Sequence, residues 1–340
     1  MPEVYSVAAL VEIDFSQKRV LRRMAMARDE MDHSLDGYAT NFTVPARVGN
    51  ELYLPSHATV YNVDIDRFET KDQFSNPFFN DLHQVALYDG SLYAVSTGLD
   101  RVLKLDGSGE VVGVLPVHPS IQPLQTEEDY RTSNTKPRLS HPNFLFEAQG
   151  MPWVTRAHQH DCVPLHDLHN PFPLADVMVH DGIAWEDKHI FTSVNGDVIV
   201  TDLVNRKVVQ TYHLIRKRWH LLTGWCRALH VTDDHFYVGF SVFRRTKFVE
   251  NLQWVKAALK GDNPPLPTRI EKISRATGQV VDEMTFDPKV LNAIFWIGPV
   301  SQAPANEEAP SARAYSSDVD DDSSEASHPS AKRKSQLSLM

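Results

Sequence analysis

Four side chains able to bind an anion or a metal ion recur at similar points of the chain. His83, His141 and His180 each stand at the beginning of a short apolar run, in the contexts LHQVAL, SHPNFL and VHDGIA, and Arg227 stands similarly in CRALHV. Neutral imidazoles bind divalent metals, protonated imidazoles attract anions, and an arginine holds a carboxylate, sulfate or phosphate through its fork of donors. If the four lie together, they could bind a small anion, and a histidine could act as a general base.

The apolar runs belong to a unit of four short strands that repeats along the chain. In residues 81–117, Asp-Gly, Thr-Gly and Gly-Ser-Gly turns separate segments whose apolar residues alternate with polar ones. A period of two is typical of a half-buried strand. The layout returns in residues 178–214, where Asn195 and Gly196 form the tight turn. One blade of a β-propeller has this size and strand count, although two stacked sheets of a β-sandwich are an alternative.

Further copies and the two chain ends complete a predicted ring. The copies cover residues 41–70, residues 140–165, and residues 224–243 together with 269–286. What remains, residues 289–298 and residues 4–24, should pair into one last blade, because this pairing removes the open edge of the ring. The sequence therefore predicts an all-β, six-bladed β-propeller over residues 1–300, with five or seven blades if the ends pair differently.

The predicted ring brings the four candidate residues to one place. The first strand of each blade lines the centre of a propeller, so His83, His141, His180 and Arg227 should converge at one mouth. There the three histidines could hold a divalent metal, and Arg227 could bind an anion. The alternative is that each histidine bonds to the neighbouring blade and locks the inner strands together.

Connections between second and third strands return to the same face and should frame the mouth. They carry further candidate ligand-binding residues, namely Arg101, His158, His160 and Arg244. The histidine-rich segment 156–170 could also bind a metal, but its spacing matches no familiar zinc pattern, and a flexible loop is the alternative. An insertion at residues 247–267 contains apolar residues at helical spacing over residues 248–260. This helix could be a lid on the mouth or a cover for the edge of the fifth blade.

Composition limits the classes of function. The formal charge of −10 argues against nucleic-acid binding, which needs a basic surface. The first residues lack the pattern of a secretory signal, and no apolar stretch reaches the roughly 18 residues of a membrane-spanning helix. Two cysteines are too few for a disulfide framework, so we expect a cytoplasmic protein that does not bind membranes. Residues 301–340 are rich in Ala, Pro, Ser, Glu and Asp, which predicts a disordered tail.

The chain resembles a largely uncharacterised family of bacterial six-bladed β-propeller proteins. The resemblance covers about residues 81–299 and rests on five motifs: His83-Gln84-Val85, His141-Pro142-Asn143, His180-Asp181, Arg227-Ala228-Leu229 and Val238-Gly239-Phe240-Ser241. It implies the propeller fold and points to the same ring of residues, but it implies no activity.

Two functions from different classes follow as hypotheses. In the first, the mouth binds a small anionic ligand, with a divalent metal as one option, and turns it over as a lyase or hydrolase. In the second, the protein is a non-catalytic scaffold on which the same face or the charged tail docks a protein partner. The sequence does not decide whether the protein is an enzyme.

Overall fold

The protein is a β-propeller with almost no helix. The computed structural model describes residues 7–31, 40–125, 127–214, 224–242, 266–300 and 337–339. Within these ranges the regular structure consists of antiparallel strands in four-stranded sheets, together with short 3-10 turns at Arg28–Glu30 and Thr97–Leu99. The all-β prediction is therefore confirmed.

The strands number β1 to β24 along the described chain. The N-terminal hairpin consists of β1 (Val7–Asp14) and β2 (Arg19–Ala27). Blade 1 consists of β3 (Ala46–Val48), β4 (Glu51–Pro55), β5 (Val60–Asp64) and β6 (Glu69–Phe74). Blade 2 consists of β7 (Leu82–Tyr88), β8 (Ser91–Ser96), β9 (Arg101–Leu105) and β10 (Val111–Pro116). Blade 3 consists of β11 (Pro142–Ala148), β12 (Met151–Arg156), β13 (Asp161–Pro164) and β14 (Phe172–Pro173).

The second half of the chain repeats this pattern. Blade 4 consists of β15 (Val179–Trp185), β16 (Lys188–Ser193), β17 (Asp197–Asp202) and β18 (Lys207–His213). Blade 5 consists of β19 (Trp225–Val231), β20 (His235–Ser241), β21 (Arg269–Ser274) and β22 (Val280–Thr285). The last two strands are β23 (Ile297–Pro299) and β24 (Leu337–Leu339).

The structure has five blades made of consecutive strands, rather than the expected six. The remaining sheet is assembled from distant parts of the chain in the order β2-β1-β24-β23, and we call it the composite sheet. The expected strand over residues 289–298 is reduced to β23, and β23 does not pair with β1 directly. Instead β24, which comes from the stretch predicted to be a disordered tail, lies between them and pairs with both. The disordered tail predicted over residues 301–340 stays a prediction, since only residues 337–339 of it are described.

The first strand of each blade lies on the inside. Strands β3, β7, β11, β15, β19 and β23 contact one another in that order around the ring. The outer strands are exposed, as the alternation of half-buried and exposed residues in β10 shows. The tight turns follow the sequence signals: Asp89 and Gly90 both have positive φ, 47° and 68°, in the turn between β7 and β8. Such a turn favours residues that tolerate the left-handed region.

The composite sheet packs between blade 5 and blade 1. On one face, Val11 and Ile13 belong to an apolar cluster with Tyr237 of blade 5. On the other face, Leu10 packs in a cluster with Leu54 of blade 1. Burial of apolar surface on both faces is the main stabilising contribution at these contacts.

Arg47 of β3 fixes the junction between blade 1 and the composite sheet. Its guanidinium donates to the carbonyl oxygens of Pro299 at 2.6 Å and Val300 at 2.8 Å. Burial lowers the pKa of Arg47. The two bonds tie a strand near one end of the described chain to one near the other.

Several expectations concern residues outside the described ranges. The helix predicted over residues 248–260 lies there, as does Arg244. The described part of the chain contains no helix that is long and apolar enough to cross a membrane.

Candidate functional site

The inner hairpins of four blades share an irregularity close to the candidate residues. The register between first and second strands shifts at Leu82/Gln84, Pro142/Leu145, Val179/Gly182 and Cys226/Leu229. His83, His180 and Arg227 lie within these shifts. A β-bulge bends its strand and re-aims side chains, and bulges are common beside functional sites. The bulges therefore explain how these three side chains leave the regular alternation.

The four candidates do not occupy equivalent strand positions. Leu82, Pro142, Val179 and Trp225 are equivalent, because each pairs with the last residue of its second strand. His83 and His180 follow this position by one residue, Arg227 follows it by two, and His141 precedes it by one. The four residues were expected at the same position of their strands. They lie at different positions because the β-bulges differ between blades.

The structure nevertheless brings the three histidines into contact. The ring centroids of His83 and His141 are 5.0 Å apart, and those of His83 and His180 are 5.9 Å apart. The ring of His158 lies 5.4 Å from that of His141. The three inner histidines and four charged or ionisable neighbours form a group that we call the inner-strand cluster. Its members are His83, His141, His180, Asp81, Arg138, Asp181 and Arg227.

Asp81 and Arg138 form a largely buried ion pair within the cluster. Arg138 Nη2 contacts Asp81 Oδ2, and the arginine side chain is 5% exposed and the aspartate side chain 23% exposed. Burial alone would raise the pKa of Asp81, but nearby positive charge outweighs it and holds this pKa well below its ordinary value. We attribute the effect to Arg138 at neutral pH, because His83 is then uncharged, as its own pKa shows.

His83 and His141 are kept neutral by their surroundings. Burial lowers the pKa of His83 to about 4, against the opposing attraction of Asp81. Burial also lowers the pKa of His141 well below its ordinary value, and Arg138 adds to the effect. The hydrogen bonds then select the tautomers. Nδ1 of His83 lies 3.0 Å from the Asp81 carbonyl oxygen and donates to it, so Nε2 carries the lone pair. Nδ1 of His141 faces Arg138 Nη1 at 3.2 Å and accepts from it.

The backbone of His141 is held in place by Asp100. The Asp100 carboxylate accepts hydrogen bonds from the backbone N–H groups of Leu139, Ser140 and His141 at 2.7, 3.0 and 2.7 Å. His141 has a φ of 54°, in the left-handed region that non-glycine residues rarely adopt. Three bonds to one carboxylate fix this unusual conformation and, with it, the direction of the imidazole.

Asp181 is a buried carboxyl group whose pKa is raised. Burial raises its pKa well above the ordinary value, although Arg227 opposes the shift. Its Oδ1 lies 3.2 Å from His180 Nδ1. Within the described part of the chain, its buried Oδ2 has no hydrogen-bond partner. The cluster therefore contains two carboxyl groups whose pKa values are shifted in opposite directions, that of Asp81 downwards and that of Asp181 upwards.

Arg227 lies beside aromatic rings at the edge of the cluster. Its guanidinium carbon is 4.8 Å from the ring centroid of Phe295 and 5.3 Å from that of Trp225. The charge of Arg227 acts on both His83 and Asp181, since it lowers the pKa of each. Arg227 is thus near enough to influence a ligand that contacts these groups.

The other predicted ligand-binding residues do not all join the cluster. Arg101 is buried and donates to the carbonyl oxygens of Leu99, at 3.1 Å, and Gln122, so it stabilises the connection after blade 2. His160 lies in the turn after β12, where its carbonyl oxygen accepts from Leu174 N–H at 3.0 Å. His158, which is exposed, is the one that contacts the cluster.

A three-histidine metal site is not formed in the ranges that the structure describes. No group of three or more His, Cys, Asp or Glu side chains is arranged there to hold a metal ion. One physical reason is that Nδ1 of His141 accepts a hydrogen bond from the Arg138 guanidinium, a cation that also repels a metal. The metal role of His83, His141 and His180 and that of segment 156–170 therefore stay predictions.

Hydrogen bonds between neighbouring inner strands come from other polar residues. Asn143 Nδ2 donates to the Val179 carbonyl oxygen at 3.0 Å, and Thr192 Oγ1 donates to that of Arg227 at 2.7 Å. The side-chain amide of Gln84 bonds to both N–H and C=O of Leu145. The hydrogen bonds that join blades 2, 3, 4 and 5 therefore come from residues other than the histidines. This weakens the alternative that the histidines serve only to hold neighbouring blades together.

Sequence reasoning missed three residues of the cluster. Asp81 and Asp181 lie within two residues of a candidate histidine, and this proximity was a usable signal. Arg138 comes from the long connection between β10 and β11. Its path over blade 2 is fixed by Asn80, whose Nδ2 donates to the carbonyl oxygens of Tyr130 and Ser133 at 2.5 and 3.0 Å. Nothing in the local sequence marks that contact.

Comparisons with known proteins support the fold. No protein-family model matches the chain, and a search of curated proteins finds no match. Among solved structures, the chain is similar to a protein of unknown function from Bacteroides caccae, with 12% identity, a TM-score of 0.55, and coverage of 85% of this chain and 97% of that one. At this identity the similarity shows the fold alone.

Two further similarities are weaker. Virginiamycin B lyase from Staphylococcus aureus has 10% identity and a TM-score of 0.47, with coverage of 76% of this chain and 74% of that one. The Cps50 (Swd1) β-propeller domain from Myceliophteria thermophila has 13% identity and a TM-score of 0.48, with coverage of 85% and 83%. Since neither TM-score reaches 0.5, these two similarities carry no argument about function.

Proposed function

We propose that the inner-strand cluster binds a small anionic ligand and supplies an acid and a base for its turnover in a lyase- or hydrolase-type reaction. The observation that carries the proposal is the contrast between Asp81 and Asp181 in the same cluster, since the pKa of the first is lowered and that of the second is raised. Titratable groups whose environments push their pKa values apart are characteristic of acid–base sites.

The roles follow from the hydrogen bonds and charges. His83, neutral and with its lone pair on Nε2, is the base. Asp181, neutral and with an Oδ2 that has no partner in the described structure, is the acid or the hydrogen-bond donor. Arg227 supplies positive charge for a carboxylate, phosphate or sulfate group of the ligand. Arg138 forms an ion pair with Asp81 and donates a hydrogen bond to Nδ1 of His141, which keeps that nitrogen unprotonated.

The resemblance to the bacterial propeller family is consistent with this proposal. The matching motifs contain five of the seven residues of the cluster, namely His83, His141, His180, Asp181 and Arg227. We propose that the chain is a member of that family, that the cluster is the part that its members share for function, and that the protein acts in the cytoplasm.

Thermal melting in the presence of simple anions tests the proposal. Malonate, phosphate and sulfate at millimolar concentration should raise the melting temperature of the wild-type protein, because a ligand that binds only the folded state stabilises it. Arg227→Gln should abolish the shift, and Asp181→Leu should reduce it. The control is His213→Gln, which changes an exposed residue of an outer strand and should leave the shift intact. An equal shift in wild type and Arg227→Gln would disprove binding at the cluster.

The second candidate function is a protein-interaction scaffold, and a different observation favours it. Three outer strands expose valines: Val112 in β10 is 59% exposed, Val209 in β18 is 46% exposed and Val281 in β22 is 54% exposed. Exposed apolar edge strands offer backbone and side-chain contacts to a partner. Lysine at these three positions should then abolish partner capture and leave anion binding unchanged.

A further inference from the structure

The composite sheet contains a strand that arrives from far along the sequence. Strand β24 pairs with β1 through Val11↔Leu339, Glu12↔Ser338 and Ile13↔Leu337, and with β23 through Ile297↔Leu339, Gly298↔Ser338 and Pro299↔Leu337. Both of its edges are therefore bonded to neighbours. The space between β1 and β23 is a slot for one antiparallel strand, and a segment of the chain already occupies part of it.

The slot is longer than the strand that occupies it. Strand β1 continues from Val11 back to Val7, where its described pairing is with β2 alone. A cavity of about 250 Å³ lies at this point, and the residues that line it include Val7, Ala8 and Ala9 of β1 as well as Ala293 and Phe295, which precede β23. Because β24 runs antiparallel to β1, a strand extended beyond Leu339 would enter this cavity. The cavity is therefore a continuation of the same slot.

Strand β24 makes few backbone pairs with its two neighbours. It makes only three residue pairs on each side, and residues 300–336 separate it from β23. Closing a connection of this length costs conformational entropy. A longer strand that also pairs with residues 7–10 would gain backbone hydrogen bonds that β24 does not make.

The chemistry of the slot indicates which strand would fit it. Val11 and Ile13, which lie opposite the alternate residues Leu339 and Leu337, are fully buried, so apolar residues suit every second position. The charged side chains among the described residues lining the cavity, Arg23 and Lys289, are both basic. An acidic residue after the apolar ones would complement them.

We propose that this slot is a peptide-binding site that works by strand addition, and that its ligand is an extended segment of a partner protein. The segment has apolar residues at alternate positions and an acidic end, and it displaces β24. Strand addition of this kind derives its affinity from main-chain hydrogen bonds and its specificity from alternate side chains.

A labelled peptide tests the proposal on the full-length chain. The probe is the fluorescein-labelled nonapeptide Ser-Gln-Leu-Ser-Leu-Val-Leu-Glu-Glu, whose first five residues repeat residues 335–339. Fluorescence anisotropy should show binding to wild type, and binding at least tenfold tighter to Ser338→Pro, because proline weakens the competing strand by removing a donor. A peptide with proline at its fourth position is the negative control.

A disulfide provides the decisive comparison. Pro299 and Leu337 are paired across β23 and β24, and antiparallel partners lie within the distance that a disulfide spans. Oxidised Pro299→Cys/Leu337→Cys should bind the probe at least tenfold more weakly than the same protein after reduction. The native Cys162 and Cys226 are fully buried and should not interfere.

Three results would overturn the proposal. Equal binding by the oxidised and reduced double variants would place the peptide elsewhere on the protein. Absence of binding to both wild type and Ser338→Pro would show that the slot takes no added strand from a peptide. A wild-type dimer that the oxidised disulfide converts to a monomer would assign the slot to a second copy of the chain.

Discussion

The guanidinium of Arg138 reaches back over blade 2 to form a buried ion pair with Asp81, the residue just before that blade's inner strand. Breaking a buried pair leaves the remaining charge without compensation in a region of low polarity. We therefore expect Arg138→Met to lower the free energy of unfolding by about 3 kcal/mol, measured by urea denaturation.

A second ion pair provides the matched control for that variant. Arg131 and Asp129, at 2.5 Å, lie in the same connection but are more exposed. Arg131→Met should cost less than about 1 kcal/mol, as is usual for surface pairs. Similar losses in the two variants would contradict the buried character of the Arg138 pair.

The low pKa of His83 predicts a dependence of stability on pH. Its pKa is about 4 in the folded protein and about 6.5 when unfolded, so the unfolded state binds more protons between these values. Stability should therefore fall as the pH is lowered from 6.5 to 4, and His83→Gln should make this decline less steep. His230 of blade 5, whose pKa burial lowers to about 4, should behave in the same way. Urea denaturation at several pH values measures both slopes, which should combine additively.

Asp181 should give the opposite pH dependence. Because its pKa is raised in the folded protein, the folded state binds more protons than the unfolded state above pH 3.8, and stability falls as the pH rises. Asp181→Asn removes this contribution. The variant should therefore gain stability relative to wild type as the pH is raised from 4 to 8, as measured by thermal and urea unfolding. A difference between the two proteins that does not change with pH would show that Asp181 is ionised when folded.

Arg47 should be important for the attachment of the composite sheet. Hydrogen bonds from a charged donor contribute more than neutral ones, so loss of two of them in Arg47→Met should cost about 2–4 kcal/mol. Hydrogen exchange in β1 and β2 should increase in the same variant. The control is Arg275→Met, since Arg275 also donates to two carbonyl oxygens, those of Thr232 and Asp233, but within one blade. If both variants change exchange in β1 equally, Arg47 has no special role at this junction.

The parts of the fold that depend on local pattern were predictable from the sequence. Alternation and Asp-Gly turns identify blades 1 to 5, because each hairpin is fixed by residues close together in the chain. The composite sheet was only partly predictable, since Leu337-Ser338-Leu339 lies in a polar segment whose composition predicts disorder, and its pairing depends on partners far away in sequence.

The candidate site was also predictable only where it depends on local sequence pattern. His83, His141 and His180 were identified by their positions before apolar runs, and the structure places them in contact. Arg138 could not be identified, because its role depends on a connection that is held over blade 2 by the side chain of Asn80. The neutrality of Asp181 also follows from burial by several blades, which no local pattern encodes.

The assembly of one sheet from both ends of the described chain has a consequence for biosynthesis. Strands β1 and β2 leave the ribosome before the other described strands, but β24, which pairs with β1, follows only after five blades and β23 have been made. Until then the two apolar faces of the N-terminal hairpin, including Leu10 and Val11, lack half of their neighbours. Contacts between residues so distant in sequence form slowly, and apolar surface stays exposed until they have formed. The nascent protein should therefore depend on chaperones until residues 337–339 have been made and can pair with β1.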